Sequence, residues 1–347
     1  MRRLPVFFLI DVSDSMVGEP IEQIEEGIAT IIKELKTDSF ALETVWISII
    51  GFAGKSKVIS PLQDIITFYP PKIPIGSGTS LSKGLDTLMN TIDKEVTKTT
   101  LGRKGDWKPL IFLLTDGVPT DDTSNAIKRW NDHYRKNNNL IIISIGNNTN
   151  YNLIGQLSEN VLQFNNSDSN SYKEFFKWIS TSIKTTSEQI NHTNREGINI
   201  VKTVDDTIET IDLNKKHKIP DENFVVVCGK CTNTDKLYLI KFKKNLKNSF
   251  FHGMKTIIYT IEGTYKIEEK TYKEFSERTN YNLKISAEAL VGNPSCPYCE
   301  NNYALATCSC GGVHCISGEG ENTCPWCNTT AYYGATDEDF NINRTLG

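Results

Sequence analysis

The stretch FFLIDVSDSM, from Phe7 to Met16, passes from an uninterrupted apolar run directly into alternating acids and serines. A continuous apolar run is typical of a parallel strand that is covered on both faces. Asp11, Ser13 and Ser15 would then follow the carboxyl end of that strand, which is the edge where open α/β sheets bind ligands. The stretch therefore predicts a central strand that ends in a polar site.

Further apolar runs alternate with helix-spaced segments from Leu4 to about Asn191. TVWISIIGF, KPLIFLLTDG and LIIISIG are predicted to be buried strands, and isoleucines and leucines three and four residues apart predict helices between them. Strand–helix alternation of this kind favours an α/β fold with a doubly wound, mostly parallel sheet, as in Rossmann-like domains.

The pattern changes after residue 192. Residues 193–222 are polar and include NKKHKIP, which is typical of a linker. From residue 223 apolar and polar residues alternate with period two, which predicts antiparallel β structure. We therefore expect a first domain at 1–192, a linker at 193–222, a small β-rich, zinc-ribbon-like domain at 223–332, and a mobile acidic tail at 333–347.

Two later motifs should join the first one at the same edge of the sheet. GSGTS places Thr79 ahead of a helix, and LLTDG places Asp116 directly after a strand. The combined set offers two carboxylates and three hydroxyls, which suit a hard cation such as Mg²⁺. The predicted ligands are Asp11, Ser13, Ser15, Thr79 and Asp116. Asp14 is expected to be solvated, and Asp121 and Asp122 to cap the next helix.

These three motifs, in this order and with these flanking elements, resemble the metal-ion-dependent adhesion site of a von Willebrand factor A domain. The resemblance covers roughly residues 4–190. It implies that Ser13 and Ser15 bind the metal directly, that Asp11 and Asp116 bind directly or through water, and that Thr79 switches between the two modes. It also implies a Mg²⁺, Ca²⁺ or Mn²⁺ ion whose last coordination position is filled by a partner's carboxylate.

All nine cysteines lie in the last third of the chain, where paired C-x-x-C motifs indicate zinc rather than disulfides. The predicted first zinc site contains Cys296, Cys299, Cys324 and Cys327. The predicted second site contains Cys228, Cys231, Cys310 and Cys315, with Cys308 as the spare thiol or alternate ligand. His252 and His314 are reserve ligands. A RING-like cross-brace fits the same order of ligands, so the spacing leaves the pairing, and one or two zinc ions, open.

The stretches CPYC, CSCGGVHC and CPWC, placed after an A domain and a β segment, resemble the TerY-like proteins of bacterial tellurium-resistance and stress-response systems. The resemblance then covers nearly the whole chain. It implies a C-terminal module that holds two metals, and an association with a kinase and a phosphatase in a signalling set.

Charge and hydropathy narrow the class of function. The net charge of −4 gives no electrostatic case for nucleic acid, and no apolar run approaches the roughly 20 residues needed to span a bilayer. MRRLPVFFLI is too short in its apolar part for a signal peptide, so we expect a cytoplasmic protein without a membrane partner.

The leading hypothesis is a non-enzymatic, metal-dependent interaction protein that binds an acidic partner. The sequence shows no P-loop or kinase signature, and its five histidines lie far from residues 11–16, 79 and 116, so an enzyme is not expected. The alternative is a RING-like ubiquitin-ligase-type protein with an A domain that binds the substrate.

Overall fold

The computed structural model describes residues 2–146, 149–164, 169–193, 208–213, 215, 223–248, 255–277, 283–334 and 340–345. The chain divides into two compact units, each assembled from several segments. The first unit comprises Met1–Val12, Glu19–Ile73 and Thr79–Pro220. The second comprises Ser13–Gly18, Pro74–Gly78 and Asp221–Gly347.

The first unit is built on one seven-stranded sheet. Its strands are β1 (Leu4–Asp11), β2 (Val45–Phe52), β3 (Ser56–Asp64), β4 (Leu110–Thr115), β5 (Asn139–Ile145), β6 (Val161–Phe164) and β7 (Ile208–Thr210). They lie in the order β3-β2-β1-β4-β5-β6-β7. Only β3 and β7, at the two edges, pair antiparallel with their neighbours. The prediction of a mostly parallel α/β sheet is therefore confirmed.

The apolar run that opens the chain forms the centre of this sheet. β1 pairs in parallel with β2 on one side and β4 on the other, and all eight of its residues are buried. Phe8 stacks on Phe112 of β4 with ring centroids 5.5 Å apart. Strands covered on both faces need apolar residues at every position, which explains the continuous run.

In the part of the first unit that the structure describes, six α-helices accompany the sheet. They are α1 (Glu19–Leu35), α2 (Ser39–Thr44), α3 (Leu81–Glu95), α4 (Ser124–His133), α5 (Tyr151–Ile154) and α6 (Ser169–Thr193). α3 and α4 share one core cluster with alternate residues of the strands, whereas α1 and α2 pack against α6. At the α1–α6 contact Gly27 leaves room for Phe176, because a Cβ there would lie 2.1 Å from the ring.

The second unit is mainly antiparallel. It contains β8 (Phe224–Lys230), β9 (Leu237–Asn248), β10 (Lys255–Lys266), α7 (Glu269–Phe275), β11 (Lys284–Ser286), β12 (Leu290–Val291), β13 (Tyr303–Thr307), β14 (Val313–Ile316), β15 (Gly320–Thr323), β16 (Thr330–Tyr333) and β17 (Asn341–Asn343). Six strands form one sheet in the order β12-β10-β9-β8-β14-β13. The pairs β11–β17 and β15–β16 form two small sheets.

Two segments differ from the expected boundaries. The predicted linker contributes β7, which pairs with β6 at the edge of the first sheet. The predicted tail contributes β17, whose Ile342 is fully buried. Residues 340–345 are thus part of the fold of the second unit, because alternate residues of FNIN pack like those of any edge strand.

Over the described residues, none of the helices combines the length and the apolar character needed to cross a membrane.

Candidate metal centres

Three of the predicted oxygen ligands lie in the first unit, and all three are buried. Asp11 is the last residue of β1 and is fully buried, whereas Thr79 and Asp116 are 3% and 6% exposed. Thr115 donates from Oγ1 to Asp11 Oδ2 at 2.7 Å. A Cβ placed on Gly117 would lie 3.9 Å from Thr79 Oγ1 and 4.0 Å from Asp11 Oδ2. The structure thus brings Asp11 and Thr79 together against the backbone that follows Asp116.

The Thr79 loop is held by the loop that follows Asp116. The Thr79 N–H donates to Thr120 Oγ1 at 3.0 Å, and the Thr120 N–H donates to the Thr79 carbonyl at 2.9 Å. Asp121 accepts from the Ser80 hydroxyl at 2.5 Å and from the Ser82 N–H at 3.1 Å.

Asp121 therefore caps α3, which precedes it in the chain, and the expectation that it caps the next helix is wrong. Asp122 Oδ1 accepts from the Ser124 N–H at 2.9 Å and does cap α4, the next helix.

The other two predicted oxygen ligands lie in the second unit. Ser13 and Ser15 are buried, with their hydroxyl oxygens 3.0 Å apart in a hydrogen bond. Ser13 also forms a β-bridge with Gly76. The backbone between the serines makes a 3₁₀ turn over Asp14–Met16, which points both hydroxyls to one side.

Asp14, between the two serines, is fully buried, and the expectation that it is solvated is wrong. Burial raises the pKa of the Asp14 carboxyl to about 7, although the nearby hydroxyls of Thr345, Ser77 and Tyr272 oppose the rise. The sequence pattern gave no sign of this burial, because the residues that cover Asp14 come from distant parts of the chain.

Eight of the nine cysteines form two groups of four, each with all four sulfurs within 4.8 Å of one another. Cluster A contains Cys231, Cys296, Cys299 and Cys315, and cluster B contains Cys308, Cys310, Cys324 and Cys327. A tetrahedral zinc ion with Zn–S bonds of about 2.3 Å places its sulfurs about 3.8 Å apart. The closest pairs in the structure lie 3.5, 3.7 and 3.8 Å apart, so both clusters fit a tetrahedral zinc ion.

This grouping corrects the predicted pairing. The two C-P-x-C motifs, at Cys296 and Cys324, belong to different clusters, whereas they were predicted to share a zinc ion. Cys308 is a member of cluster B, and the thiol left out is Cys228. The clusters interleave along the chain, because Cys315 of cluster A falls between Cys310 and Cys324 of cluster B.

The alternation of strand β8 explains why Cys228 and Cys231 do not act as a pair. Side chains three positions apart on a strand point to opposite faces. Val225 and Val227 pack in the same core as Cys231, whereas Val226 and Cys228 pack in another core. Burial, with the nearby carboxylates of Asp14 and Glu269, raises the pKa of Cys228 to about 12, so this thiol is protonated.

Cys231 instead begins a turn that is repeated at both C-P-x-C motifs. In all three turns the residue four positions after the first cysteine donates its N–H to that cysteine's carbonyl. That residue has a positive φ in each case: 58° at Asp235, 61° at Glu300 and 59° at Asn328. In the Cys231 turn the place of the second cysteine is taken by Thr234.

Thr234 supports the single thiolate of its turn. Burial by itself would raise the pKa of Cys231, but hydrogen bonds from Thr234 and from the Asn233 backbone lower it to about 7. The parallel pairing of β14 with β8 then brings Cys315 to Cys231, since His314 lies opposite Lys230 in register. The Thr232 N–H donates to Cys315 Sγ at 3.3 Å.

Cluster B is assembled by two turns. Cys308 and Cys310 lie in the turn between β13 and β14, and Cys324 and Cys327 lie between β15 and β16. The Cys310 backbone N–H and the nearby Tyr333 hydroxyl lower the pKa of Cys308 to about 6. A thiol that ionises readily is a good metal ligand, because zinc binds the thiolate.

The reserve histidine His314 is not a ligand in these clusters. His314 is buried beside Cys315, with Nδ1 3.3 Å from the Cys315 carbonyl oxygen, and its ring meets Tyr333 edge-on. Burial lowers the pKa of His314, so the ring is neutral and acts as a packed core residue. His252 lies outside the described residues.

Family models match both parts of the chain. Residues 6–178 match the von Willebrand factor type A domain, and residues 221–347 match the TerY-C metal binding domain. The chain has the architecture of a TerY-like protein. The resemblance drawn from the sequence is therefore confirmed, and both cysteine clusters lie within the TerY-C domain.

Similarity to individual proteins is more distant. Inter-alpha-trypsin inhibitor heavy chain H1 of Sus scrofa is 26% identical over 154 residues, which are 43% of this chain and 17% of that protein. The pilus adhesin SpaC of Lactobacillus rhamnosus GG gives a TM-score of 0.42 at 11% identity, over 53% of this chain and 31% of that one. Proximal thread matrix protein 1 from the mussel byssus gives 0.40 at 15% identity, over 52% and 48%.

Both TM-scores lie below 0.5, so neither similarity supports a conclusion about the fold or function of this chain. This chain spans less than two thirds of each of the three proteins. The two domain matches therefore carry what is established: a TerY-like protein with a von Willebrand A domain of the interaction type and a C-terminal domain built to bind metal.

Proposed function

We propose that this TerY-like protein is a non-enzymatic adaptor that binds an acidic partner through a divalent cation. The cation, Mg²⁺ or else Ca²⁺ or Mn²⁺, would be held by Asp11, Ser13, Ser15, Thr79 and Asp116. Zinc in clusters A and B would stabilise the fold of the TerY-C domain. The role would belong to a cytoplasmic tellurium-resistance or stress-response signalling system, with an associated kinase and phosphatase as candidate partners.

The observation that carries the proposal is the burial of the predicted oxygen donors. The Asp11 carboxylate is fully buried at the end of the central strand, and Thr79 approaches the same backbone at Gly117. Burying a carboxylate is costly unless a cation or hydrogen bonds compensate it. Carboxylate and hydroxyl oxygens are the donors that hard cations prefer, so the residues fit the ion that the domain implies.

The chemistry of such an ion is binding rather than bond cleavage. When bound, Mg²⁺ supplies a positive charge. Some of its coordination positions hold water, which an external carboxylate can replace. The chain's own part is to hold the oxygens in place: Thr115 orients the Asp11 carboxylate, and Asp121 fixes the start of α3 next to Thr79. An acidic side chain of a partner would then replace water at the ion.

The first test is cation binding by the full, zinc-loaded chain, with Mn²⁺ as the probe and electron paramagnetic resonance as the readout. We expect one Mn²⁺ per chain, displaced by Mg²⁺, and loss of binding in Asp116→Ala. Asp132→Ala, which removes an exposed carboxylate of α4, is the matched control and should bind normally. Undiminished binding by Asp116→Ala would overturn the proposed site.

The second test concerns the partner. Immobilised peptides rich in Asp and Glu should retain the wild-type chain in Mg²⁺ and release it when Mg²⁺ is omitted, and Asp116→Ala should not be retained. Retention that is independent of Mg²⁺ would mean that the carboxylate is not bound through the ion, which would contradict the adaptor mechanism.

The interleaved order of clusters A and B fits the cross-brace of the RING-like alternative, but the ligand types do not favour it. The histidine which that interpretation would use, His314, lies in neither cluster. The four members of each cluster are cysteines.

A further inference from the structure

The loop Ser13–Gly18 carries two predicted cation ligands, Ser13 and Ser15, and it belongs to the second unit. The side chain between those serines, Asp14, is enclosed by that unit. The hydroxyls of Tyr272 of α7, Thr345 near the C-terminus and Ser77 lie near its carboxyl group and oppose the rise in its pKa that burial causes. Neither Asp14 carboxyl oxygen makes a hydrogen bond of normal geometry among the described residues, so Asp14 is held by enclosure.

The end of the loop is held by a buried lysine. Lys241 of β9 is 1% exposed, and its Nζ donates to the Val17 carbonyl at 3.2 Å. Glu262 of β10 neutralises this lysine at 3.1 Å. A charged donor to a buried carbonyl is a strong hydrogen bond, so Lys241 restricts where the loop can go.

Apolar packing holds the same loop. Val17 is buried in a cluster with Val226, Leu239 and Tyr272. Gly18 has φ +86°, and a Cβ there would lie 2.6 Å from the Tyr265 ring, so only glycine fits between the loop and β10.

A second segment of this unit, Pro74–Gly78, contacts the loop and is itself held by the residue that follows α7. Ser13 forms a β-bridge with Gly76. The Ser77 N–H donates to Ser276 Oγ at 2.9 Å, just beyond the end of α7. The loop therefore has contacts with β9, β10, α7 and the C-terminus, all inside one unit.

Strand β8 links this packing to the zinc ligands. One face of β8 carries Val225 and Val227 in the core that contains Cys231, Cys296 and Cys315. The other face carries Val226 in the core that contains Val17. Side chains of this one strand therefore pack both with cysteines of cluster A and with Val17 of the Ser13–Gly18 loop.

We propose that Lys241, Tyr272 and Ser276 are positioning residues for the cation site, and that they set its affinity by holding the Ser13–Gly18 loop in the binding conformation. This inference rests on the proposed function, because it assumes that Ser13 and Ser15 bind the cation. It assigns the TerY-C domain a role in cation binding beyond that of a separate docking module. Pre-organised ligands bind more tightly because less ordering is required on binding.

The test is the Mn²⁺ affinity of the full, zinc-loaded chain in three single variants. Lys241→Met keeps the apolar stem and removes the donor to Val17. Tyr272→Phe and Ser276→Ala each remove one hydroxyl. We expect Mn²⁺ to bind about tenfold more weakly in Lys241→Met and several-fold more weakly in the other two, in line with the strength of charged and neutral hydrogen bonds. Zinc content and the far-ultraviolet circular dichroism spectrum should not change.

Lys243→Met is the matched control, since it makes the same change at an exposed lysine of the same strand; its Mn²⁺ affinity should stay within about twofold of wild type. If Lys241→Met does not fold, the two hydroxyl variants decide. Wild-type affinity in both would overturn the inference while leaving the proposed function intact. Failure of the wild-type chain to bind Mn²⁺ would overturn the proposed function itself.

Discussion

Clusters A and B share one chemistry and differ in their surroundings. In cluster A, Cys231, Cys296 and Cys315 are at most 1% exposed and belong to the main core of the second unit. In cluster B, Cys310 and Cys327 are exposed. Each cluster nonetheless places four thiols within 4.8 Å of one another.

A zinc ion, if bound as proposed, would have a different structural role in each cluster. Cluster A gathers the end of β8, the segment before β13 and the middle of β14, so a zinc ion there would complete the core. Cluster B joins the β13–β14 turn to the β15–β16 hairpin, so a zinc ion there would clamp peripheral turns. A small β domain often needs such metal cross-links, because its apolar core is limited.

The largest expected effect comes from removing the equivalent cysteine from each cluster. Cys299→Ser and Cys327→Ser each alter the second cysteine of a C-P-x-C turn. We expect Cys327→Ser to keep one zinc ion and a folded second unit, whereas Cys299→Ser should unfold the second unit and hold fewer zinc ions. Structural zinc contributes an apparent ~10 kcal/mol or more, comparable to the whole stability of a domain. Zinc analysis, circular dichroism and limited proteolysis measure this.

A chelator titration of the wild-type chain is the control for that comparison. Zinc should leave in two phases, the faster from exposed cluster B, and Cys327→Ser should lack the faster phase. Equal unfolding in the two variants, or a single phase of release, would mean that the clusters do not differ in the way their burial indicates.

A smaller effect is expected from the backbone of the two C-P-x-C turns. Glu300 and Asn328 occupy equivalent positions at φ 61° and 59°, a conformation that asparagine tolerates and glutamate does not favour. Glu300→Asn should stabilise the zinc-loaded chain by about 1 kcal/mol in denaturant unfolding. Asn328→Glu should instead speed zinc release from cluster B. If Asn328→Glu stabilises the chain, the positive φ does not determine the stability difference between Asn and Glu at this position.

The smallest effect is expected at Cys228, the thiol outside both clusters. Cys228→Ala should keep two zinc ions per chain and cost about 1 kcal/mol of stability, as for an ordinary packed side chain. Zinc analysis and a denaturant unfolding curve measure this. If Cys228→Ala loses one zinc ion, Cys228 is a zinc ligand, as the sequence predicted.

The fold of the first unit was largely predictable from the sequence because its signals are local. The apolar run ending at Asp11 predicted a central buried strand, and β1 is that strand. Strands β3, β6 and β7 escaped notice. β3 is a partly exposed edge strand, and β6 and β7 are only four and three residues long, so none of them has a clear apolar periodicity.

The grouping of the cysteines was harder to predict from the sequence, although one local signal was available. FVVVCGKC was predicted to be a strand, and on a strand Cys228 and Cys231 must face opposite ways. That rule alone would have separated them. The role of Cys315 had no local signal, because its approach to Cys231 depends on the pairing of β14 with β8.

The sequence by itself determined the two domain types, and it predicted the donor groups that each domain could offer to a metal. These follow from periodicity and from donor chemistry, which are properties of short stretches. The tertiary structure decided which sulfurs share an ion and that Asp14 is covered. Both depend on contacts between residues far apart in the chain, which become neighbours only when strands pair and loops pack.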